Sequence, residues 1–542
     1  MSKTKRPNVV IILNDDMGFS DIGCYGGEIE TPNLDRLAAN GLRYSQFYNT
    51  ARCSPSRASL LTGLHPHQTG VGILTYDTGP EGYAGDLNRR CVTIAEVLKA
   101  ADYRTYLSGK WHVAKSLTEP TESWPLQRGF DEFWGTIIGA GSFYHPNTLT
   151  HGNDDADHEA KDDPEFFYTD AINDRAAGYI RGHAAEHADT PFFLYVAHTA
   201  PHWPLHAHDQ DIAKYKGRFD AGWDRLREER LERLVASGLI QPAWTLTDRD
   251  PTQPPWTEAE RRDWLLRCME VYAAQIDRMD QGIGRILTAL EETGQLDNTL
   301  LLFLSDNGGC AEDIPVGVTA REMVDQLMIA QATTRDGKPV RFGNDRDIMP
   351  GAEDTYQSYE TAWANLSNTP FRLYKHFIHE GGIATPLIVH WPSGISEPGG
   401  LRHGPGQLPD IMATVLEVTG AAYPQRFGGH DILPLEGTSL APSFEADGVE
   451  RGPLYWEHEG NAAVRVGRWK LVRRYPGPWE LYDMEADRTE LHDLATGQPD
   501  RVREMAALYE SWAARCGVIP REKILELMKQ QGATAFWEDE DA

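Results

Sequence analysis

Short apolar runs recur along the chain and alternate with stretches of helical spacing. NVVIIL (8–13), YRTYLS (103–108), PFFLYVA (191–197), NTLLLFLS (298–305) and TPLIVHW (385–391) are largely apolar, the pattern of strands buried on both faces. Between them, VTIAEVLKAA (92–101) sets Ile94, Val97, Leu98 and Ala101 at helical spacing. Within 259–292, Leu265, Met269, Tyr272, Ile276, Met279, Ile283 and Leu287 mark a long amphipathic helix. This alternation predicts an α/β fold, a large mostly parallel mixed sheet flanked by helices on both faces.

From residue 436 the texture changes. GPLYWEHEG, AAVRVGRWKLVRRY and WELYDMEADRTELHDL read as short strands with turn signals, and a helical segment follows near 497–515. The predicted organisation is a catalytic domain over 1–435 and a small antiparallel sheet plus helix over 436–542, ending in a solvated acidic tail, WEDEDA. Two irregular stretches, 141–170 and 311–370, are too long to be simple connections and are expected to wall a binding site.

A chain of 542 residues is too long for one core, and with 40% hydrophobic residues it can fill more than one. The charge, 52 − 81 = −29, makes it a poor partner for nucleic acid or an anionic membrane. An anionic substrate must therefore be drawn in by a local basic cluster. Six scattered cysteines, Cys24, Cys53, Cys91, Cys268, Cys310 and Cys516, include no CxxC pair, which argues against a disulfide framework or a zinc site. The first apolar run, Val9 to Leu13, passes straight into Asn14, Asp15 and Asp16, so it reads as a strand and not as a signal peptide. No run reaches transmembrane length, and a cytoplasmic location is expected.

In an open α/β sheet, ligands bind beyond the carboxyl ends of the strands. Asp15 and Asp16 follow the first predicted strand, Lys110 and His112 the second, His202 the third, and Asp306 and Asn307 the fourth, while Lys375 and His376 precede the fifth. Adjacent carboxylates at a buried strand end repel unless a cation lies between them. Oxygen donors alone suit Ca²⁺ or Mg²⁺. Capping turns are the structural alternative for each pair taken singly. Arg57, Lys110, His112, His202 and Lys375 together form a cationic set suited to a tetrahedral oxyanion. His198, His206, His208 and His379 are read as structural, and His65 and His67 as loop residues.

The segment ARCSPSRASLLTG (51–63) places Cys53 just before a helix whose N-cap and first position are read as Ser54 and Pro55. A cysteine there is a depressed-pKa thiolate, a nucleophile, or the precursor of another group.

With Cys53, Pro55 and Arg57 meeting C-x-P-x-R and continuing to Leu61, Thr62 and Gly63, the chain resembles the type I, formylglycine-dependent sulfatases of the alkaline phosphatase superfamily, and most of all the bacterial arylsulfatases. GKWH (109–112), APHWP (200–204), SDNG (305–308), RLYK (372–375) and the early Asp pair match in order. The resemblance implies that a maturation enzyme oxidises Cys53 to formylglycine (3-oxoalanine), whose hydrate is the nucleophile. It implies one divalent cation, Ca²⁺ first and Mg²⁺ or Mn²⁺ as alternatives, held by Asp15, Asp16, Asp306, Asn307 and an oxygen of residue 53. His202 is expected as general acid with Lys375 assisting, His112 as the base of sulfate release, and Arg57 as support for the formylglycine hydroxyls. The implied substrate is a small sulfate ester, an aryl sulfate first and a carbohydrate or alkyl sulfate next. A phosphonate monoester or phosphodiester hydrolase of the same superfamily is the alternative. Phe143, Tyr144, His145 and Trp203 are the expected contacts to the departing alcohol. Oligomeric state is not legible.

Overall fold

The computed structural model describes residues 6–530, so the predicted acidic tail lies outside the described residues. The main sheet is built from β1 (Asn8–Asn14), β2 (Leu42–Tyr48), β3 (Arg104–Gly109), β4 (Glu132–Thr136), β5 (Leu149–His151), β6 (Asp154–Asp155), β7 (Phe192–Ala197), β8 (Thr299–Ser305), β9 (Ala384–His390), β10 (Gly400–Arg402) and β11 (Gly406–Gln407). Its order is β10-β2-β9-β8-β1-β7-β3-β4-β5-β6, with β11 also pairing β2. The central strands run parallel: β8 and β7 flank β1, and β3 follows β7. All five apolar runs form strands. The sequence pattern does not mark β2 and β4, because LRYSQFY interleaves Arg43, Ser45 and Gln46 with its apolar positions.

β9 runs antiparallel to both of its neighbours, β8 and β2. The segment leading into β9 therefore lies at the edge where β1, β3, β7 and β8 end. This reversal brings Lys375 to the same edge as Asp15, Lys110 and Asp306.

Alternation along each strand assigns its side chains to two cores. Val10 and Ile12 of β1, with Leu301 and Phe303 of β8, pack on one face. Val9, Ile11 and Leu13, with Leu300, Leu302 and Leu304, pack on the other. On the second face lie α1 (Cys53–Thr62), α2 (Ile94–Ala100) and, toward the C-terminus, a helix over Pro409–Thr419. α3 (Tyr168–Glu186) and α4 (Arg262–Glu292) cover the first face. α2 opens on a capping box, in which Thr93 Oγ1 accepts from the N–H of Glu96 and a Glu96 carboxylate oxygen accepts from that of Thr93.

The C-terminal region forms a four-stranded antiparallel sheet, β12 (Leu454–His458), β13 (Asn461–Val466), β14 (Trp469–Arg473) and β15 (Glu480–Asp483), in sequence order. Against it packs a helix over Pro499–Cys516, through Met505, Tyr509 and Trp512. A further helix, Arg521–Gln530, was not marked by the sequence pattern; its Ile524 and Met528 pack on Ile73 and Tyr83. Buried ion pairs tie this sheet to the start of β9: Glu380 receives Lys470 at 2.9 Å and Arg488 at 2.8 Å. Burial alone would raise the Glu380 pKa, yet these cations hold it at about 2. Among the described residues, no helix is long and apolar enough to cross a membrane.

Candidate active site

α1 begins two residues earlier than the sequence reading placed it. Its N-cap is Arg52, in extended conformation, and Cys53 is the first helical residue. Cys53 thus sits among the unpaired N–H groups of the first turn, and Arg57, four residues on, shares its helix face. The thiol is not a depressed-pKa group: burial pushes it up, against the pull of Lys110 and Lys375. A thiol so placed is a weak nucleophile at neutral pH.

The strand ends converge as expected. Asp15 Oδ2 accepts from Lys110 Nζ at 2.5 Å and lies 3.6 Å from Arg57 Nη2, which donates to Asp306 Oδ2 at 2.8 Å. Asp16, held at a φ of 65°, receives the Asn307 amide on Oδ1 at 2.6 Å and Lys375 Nζ on Oδ2 at 3.0 Å. All of these side chains are buried. Burial would raise the Asp15 pKa, but Lys110, His202, Arg57 and Lys375 outweigh it and hold the group below the usual carboxylate range. For Asp306, burial and the Asp15 charge prevail over Arg57 and Lys110 and push it up to about 7. The neighbouring cations therefore only partly offset the burial of Asp306 and its repulsion from Asp15.

Two buried acceptors in this cluster, Asp15 Oδ1 and Asn307 Oδ1, make no hydrogen bond among the described residues. Orphaned buried oxygens beside an under-neutralised carboxylate set are what a hard cation with oxygen ligands would satisfy. Asp15, Asp16, Asp306 and Asn307 fit such an ion.

The ring of His202 is fixed by a backbone contact. The Trp203 carbonyl can only accept, so the 2.6 Å contact fixes the proton of His202 on Nδ1. Nε2 then faces Lys375 Nζ at 3.2 Å and Asp16 Oδ2 at 3.3 Å. Burial lowers the His202 pKa, and Asp16 opposes that fall. His112 is held well below its ordinary pKa by burial and by the charges of Lys110 and Arg57, which leaves a neutral base. Its ring lies against Gly139, where a Cβ would come within 2.1 Å of Cε1. For Lys375, burial works against the charge, but Asp16, Cys310 and Glu312 keep the ammonium well above its ordinary pKa.

Cys53, His112, His202 and Lys375 share the wall of one cavity of about 530 Å³. Its apolar lining includes Leu74, Tyr76, Ile138, Ile314, Met323 and Leu327, and Trp203 also contributes. The stretch 311–370 supplies part of this wall, as expected; 141–170 supplies none of it. Phe143, Tyr144 and His145 are accordingly not brought to the cavity. Phe143 stacks on Phe167, the Tyr144 hydroxyl donates to the Ala207 carbonyl, and His145 pairs with Asp157. These aromatics pack the entry to α3, where Phe167, His206 and His208 cover their rings. His198, His206, His208, His379, His65 and His67 also lie outside the lining.

The sequence reading missed the charged lining residues Arg52, Glu312 and Asp313. Glu312 accepts from Arg52 Nη1 at 2.7 Å and from the Trp203 indole at 2.9 Å, and lies 3.7 Å from Lys375. Burial would raise its pKa, but Lys375 and Arg52 hold it below the usual range. The position of Glu312 shortly after Asp306 was the one available signal.

A model of the sulfatase family matches residues 7–421, and one described as N-sulphoglucosamine sulphohydrolase, C-terminal, matches 371–510. An uncharacterized sulfatase of Schizosaccharomyces pombe is 32% identical, over 96% of this chain and 95% of its own. An arylsulfatase of Klebsiella aerogenes is 33% identical, over 81% of this chain and 92% of its own. Among solved structures, Ps i-CgsB superposes with a TM-score of 0.68 at 23% identity, covering 99% of both chains. A protein solved with its substrate, D-glucosamine-2-N,6-O-disulfate, gives 0.63 at 21% identity, covering 96% of this chain and 100% of the other.

Proposed function

Because the chain belongs to the sulfatase family and is a sulfuric ester hydrolase, we propose that it cleaves aryl sulfate monoesters to a phenol and sulfate, with Cys53 matured to formylglycine by a separate enzyme. The observation that carries the aryl reading is the apolar cavity wall, in which Leu74, Tyr76, Met323, Leu327 and Trp203 surround the approach to residue 53. Such a wall favours a flat, apolar leaving group over a heavily hydroxylated one. The raised thiol pKa of Cys53 supports a role other than thiolate chemistry.

A hydrated formylglycine supplies a nucleophilic oxygen and a second hydroxyl through which sulfate can be expelled. A bound Ca²⁺, held by Asp15, Asp16, Asp306 and Asn307, supplies Lewis-acid polarisation of oxygen. The remaining work belongs to the chain's own groups. Lys110 and Lys375 are fixed cations for the sulfuryl oxygens, pre-aligned by Asp15 and Asp16, so little reorganisation is needed as charge develops. Arrival of an anionic ester adds negative charge beside His202 and favours its imidazolium. With Nδ1 anchored on Trp203, Nε2–H is the proton available to the departing phenolate oxygen. The neutral His112 takes the proton that must leave when sulfate is released.

A carbohydrate sulfate is the second reading, favoured by the Arg52–Glu312 pair, which offers a charged donor and acceptor on the same wall. The test pairs the mass of the peptide containing residue 53 with turnover of a fluorogenic aryl sulfate and of sulfated monosaccharides. Aldehyde mass at residue 53, preference for the aryl ester and loss of turnover in Cys53→Ala are expected. An unmodified cysteine with undiminished hydrolysis would overturn the formylglycine reading, and a preference for the sugar would overturn the aryl one.

A further inference from the structure

Beside the oxygen-rich cluster lies a second group of metal-ligating side chains that the reaction above does not use. His376 follows Lys375, lines the same cavity and is held at a φ of 85°. Its Nδ1 lies 3.1 Å from Oε2 of Glu459, and Nε2 of His458 lies 3.5 Å from that same oxygen. His458 and Glu459 sit at the turn of the β12–β13 hairpin, so this contact joins the C-terminal sheet to the cavity wall.

His458 is wholly buried, and neither of its ring nitrogens makes a hydrogen bond to any described residue. Buried polar atoms rarely go unsatisfied without an unseen partner. Burial also holds the ring well below its ordinary pKa, leaving a neutral imidazole with a lone pair to donate. Glu459 is oriented from behind: its Oε1 accepts from Arg521 Nη1 at 2.7 Å, which turns Oε2 toward the two imidazoles. The nearby Arg52 is paired with Glu312 at 2.7 Å. Around a tetrahedral ion with bonds of about 2.0–2.1 Å, donors stand about 3.3–3.4 Å apart, and the two measured separations of 3.1 and 3.5 Å bracket that value. The candidate donor atoms all lie within 4.8 Å of one another.

We propose that His376, His458 and Glu459 form a second divalent-cation site, distinct from the Asp15–Asp306 cluster and of the class that takes Zn²⁺. Two imidazoles and one carboxylate select a borderline ion over Ca²⁺. Three protein ligands leave a further coordination position for water or a substrate oxygen. A dication there also gives an anionic ester a local attraction that the net charge of −29 denies it.

The experiment uses the full chain, stripped with a chelator, refilled with saturating Ca²⁺ to occupy the oxygen cluster, and then dialysed against Zn²⁺ or Co²⁺. One Zn²⁺ per chain is expected, with X-ray absorption showing two imidazole ligands and with the intense visible bands of four-coordinate Co²⁺. Both should be lost in His458→Gln and Glu459→Gln. Failure of the wild-type chain to retain Zn²⁺, a retained ion without two imidazole ligands, or undiminished retention in both variants would overturn the site. The wild-type spectra decide the question even where a variant does not fold.

Discussion

Lys375 Nζ stands 3.0 Å from Asp16 Oδ2 and 3.2 Å from Nε2 of His202, while the other ring nitrogen of His202 is fixed on the Trp203 carbonyl. One lysine therefore neutralises a candidate metal ligand and abuts the candidate proton donor. If His202 protonates the leaving oxygen, His202→Gln lowers kcat by about 10²–10⁴-fold for esters of weakly acidic phenols. The loss shrinks for strongly acidic phenols, which leave without help. Turnover measured across a series of substituted phenyl sulfates reads this directly. A uniform loss across the series would remove His202 from the acid role.

Gly139 is a position where the fold cannot accept a side chain without moving the ring of His112, the proposed base, since its Cβ would meet His112 Cε1 at 2.1 Å. Gly139→Ala is expected to displace the ring by an ångström or so and to cost about 100-fold in kcat. Steady-state kinetics with a circular dichroism control checks it. Wild-type turnover in the variant would show that the ring is not held by this contact.

Removal of the divalent ion is expected to abolish hydrolysis and to lower the melting temperature, because orphaned oxygens and repelling carboxylates are left behind. Refilling at a hundredfold excess over Kd restores about 2.7 kcal/mol. Asn307→Ala, which deletes one orphaned acceptor, should weaken Ca²⁺ binding in a calorimetric titration. Equal affinity in the variant would exclude Asn307 as a ligand.

Acid should destabilise the fold through buried histidines. His206 Nε2–H donates to the Thr355 carbonyl at 2.6 Å and Nδ1 accepts from the Phe143 N–H at 3.3 Å, a pattern only the neutral ring can make. Burial lowers its pKa from 6.5 to about 4. A group whose pKa is depressed in the folded state and which is neutral when deprotonated stabilises the fold above pH 6.5. That stability drains as pH falls from there toward 4, by about 1.4 kcal/mol per unit while the folded ring resists protonation. Urea midpoints at neutral and mildly acidic pH should converge in His206→Gln relative to wild type. An unchanged pH slope would assign the acid sensitivity elsewhere.

Much of the site was legible because its residues announce themselves locally. Asp15, Lys110, His202 and Asp306 each follow a short run whose length and composition predict a buried strand, and Cys53 and Arg57 fall on a helix. The helix start was misplaced by two residues, since Arg52 caps through its backbone conformation without a side-chain hydrogen bond. The aromatic contacts were misassigned for a different reason. Phe143 and Tyr144 look available in a long polar stretch, yet Phe167 from the far end of that stretch and His206 and His208 from beyond it cover them.

The sequence by itself determined the alternation of buried strands and amphipathic helices, the excess of negative charge, and the identity of the oxygen and cationic groups at the strand ends. These follow from spacing, side-chain chemistry and turn residues within a few positions of one another. Tertiary structure alone decided that β9 runs against its neighbours, carrying Lys375 back to Asp16, and that Glu312, His376 and Glu459 meet near the same cavity. Such meetings depend on strand pairing and on packing between segments distant in the chain, which no local pattern records.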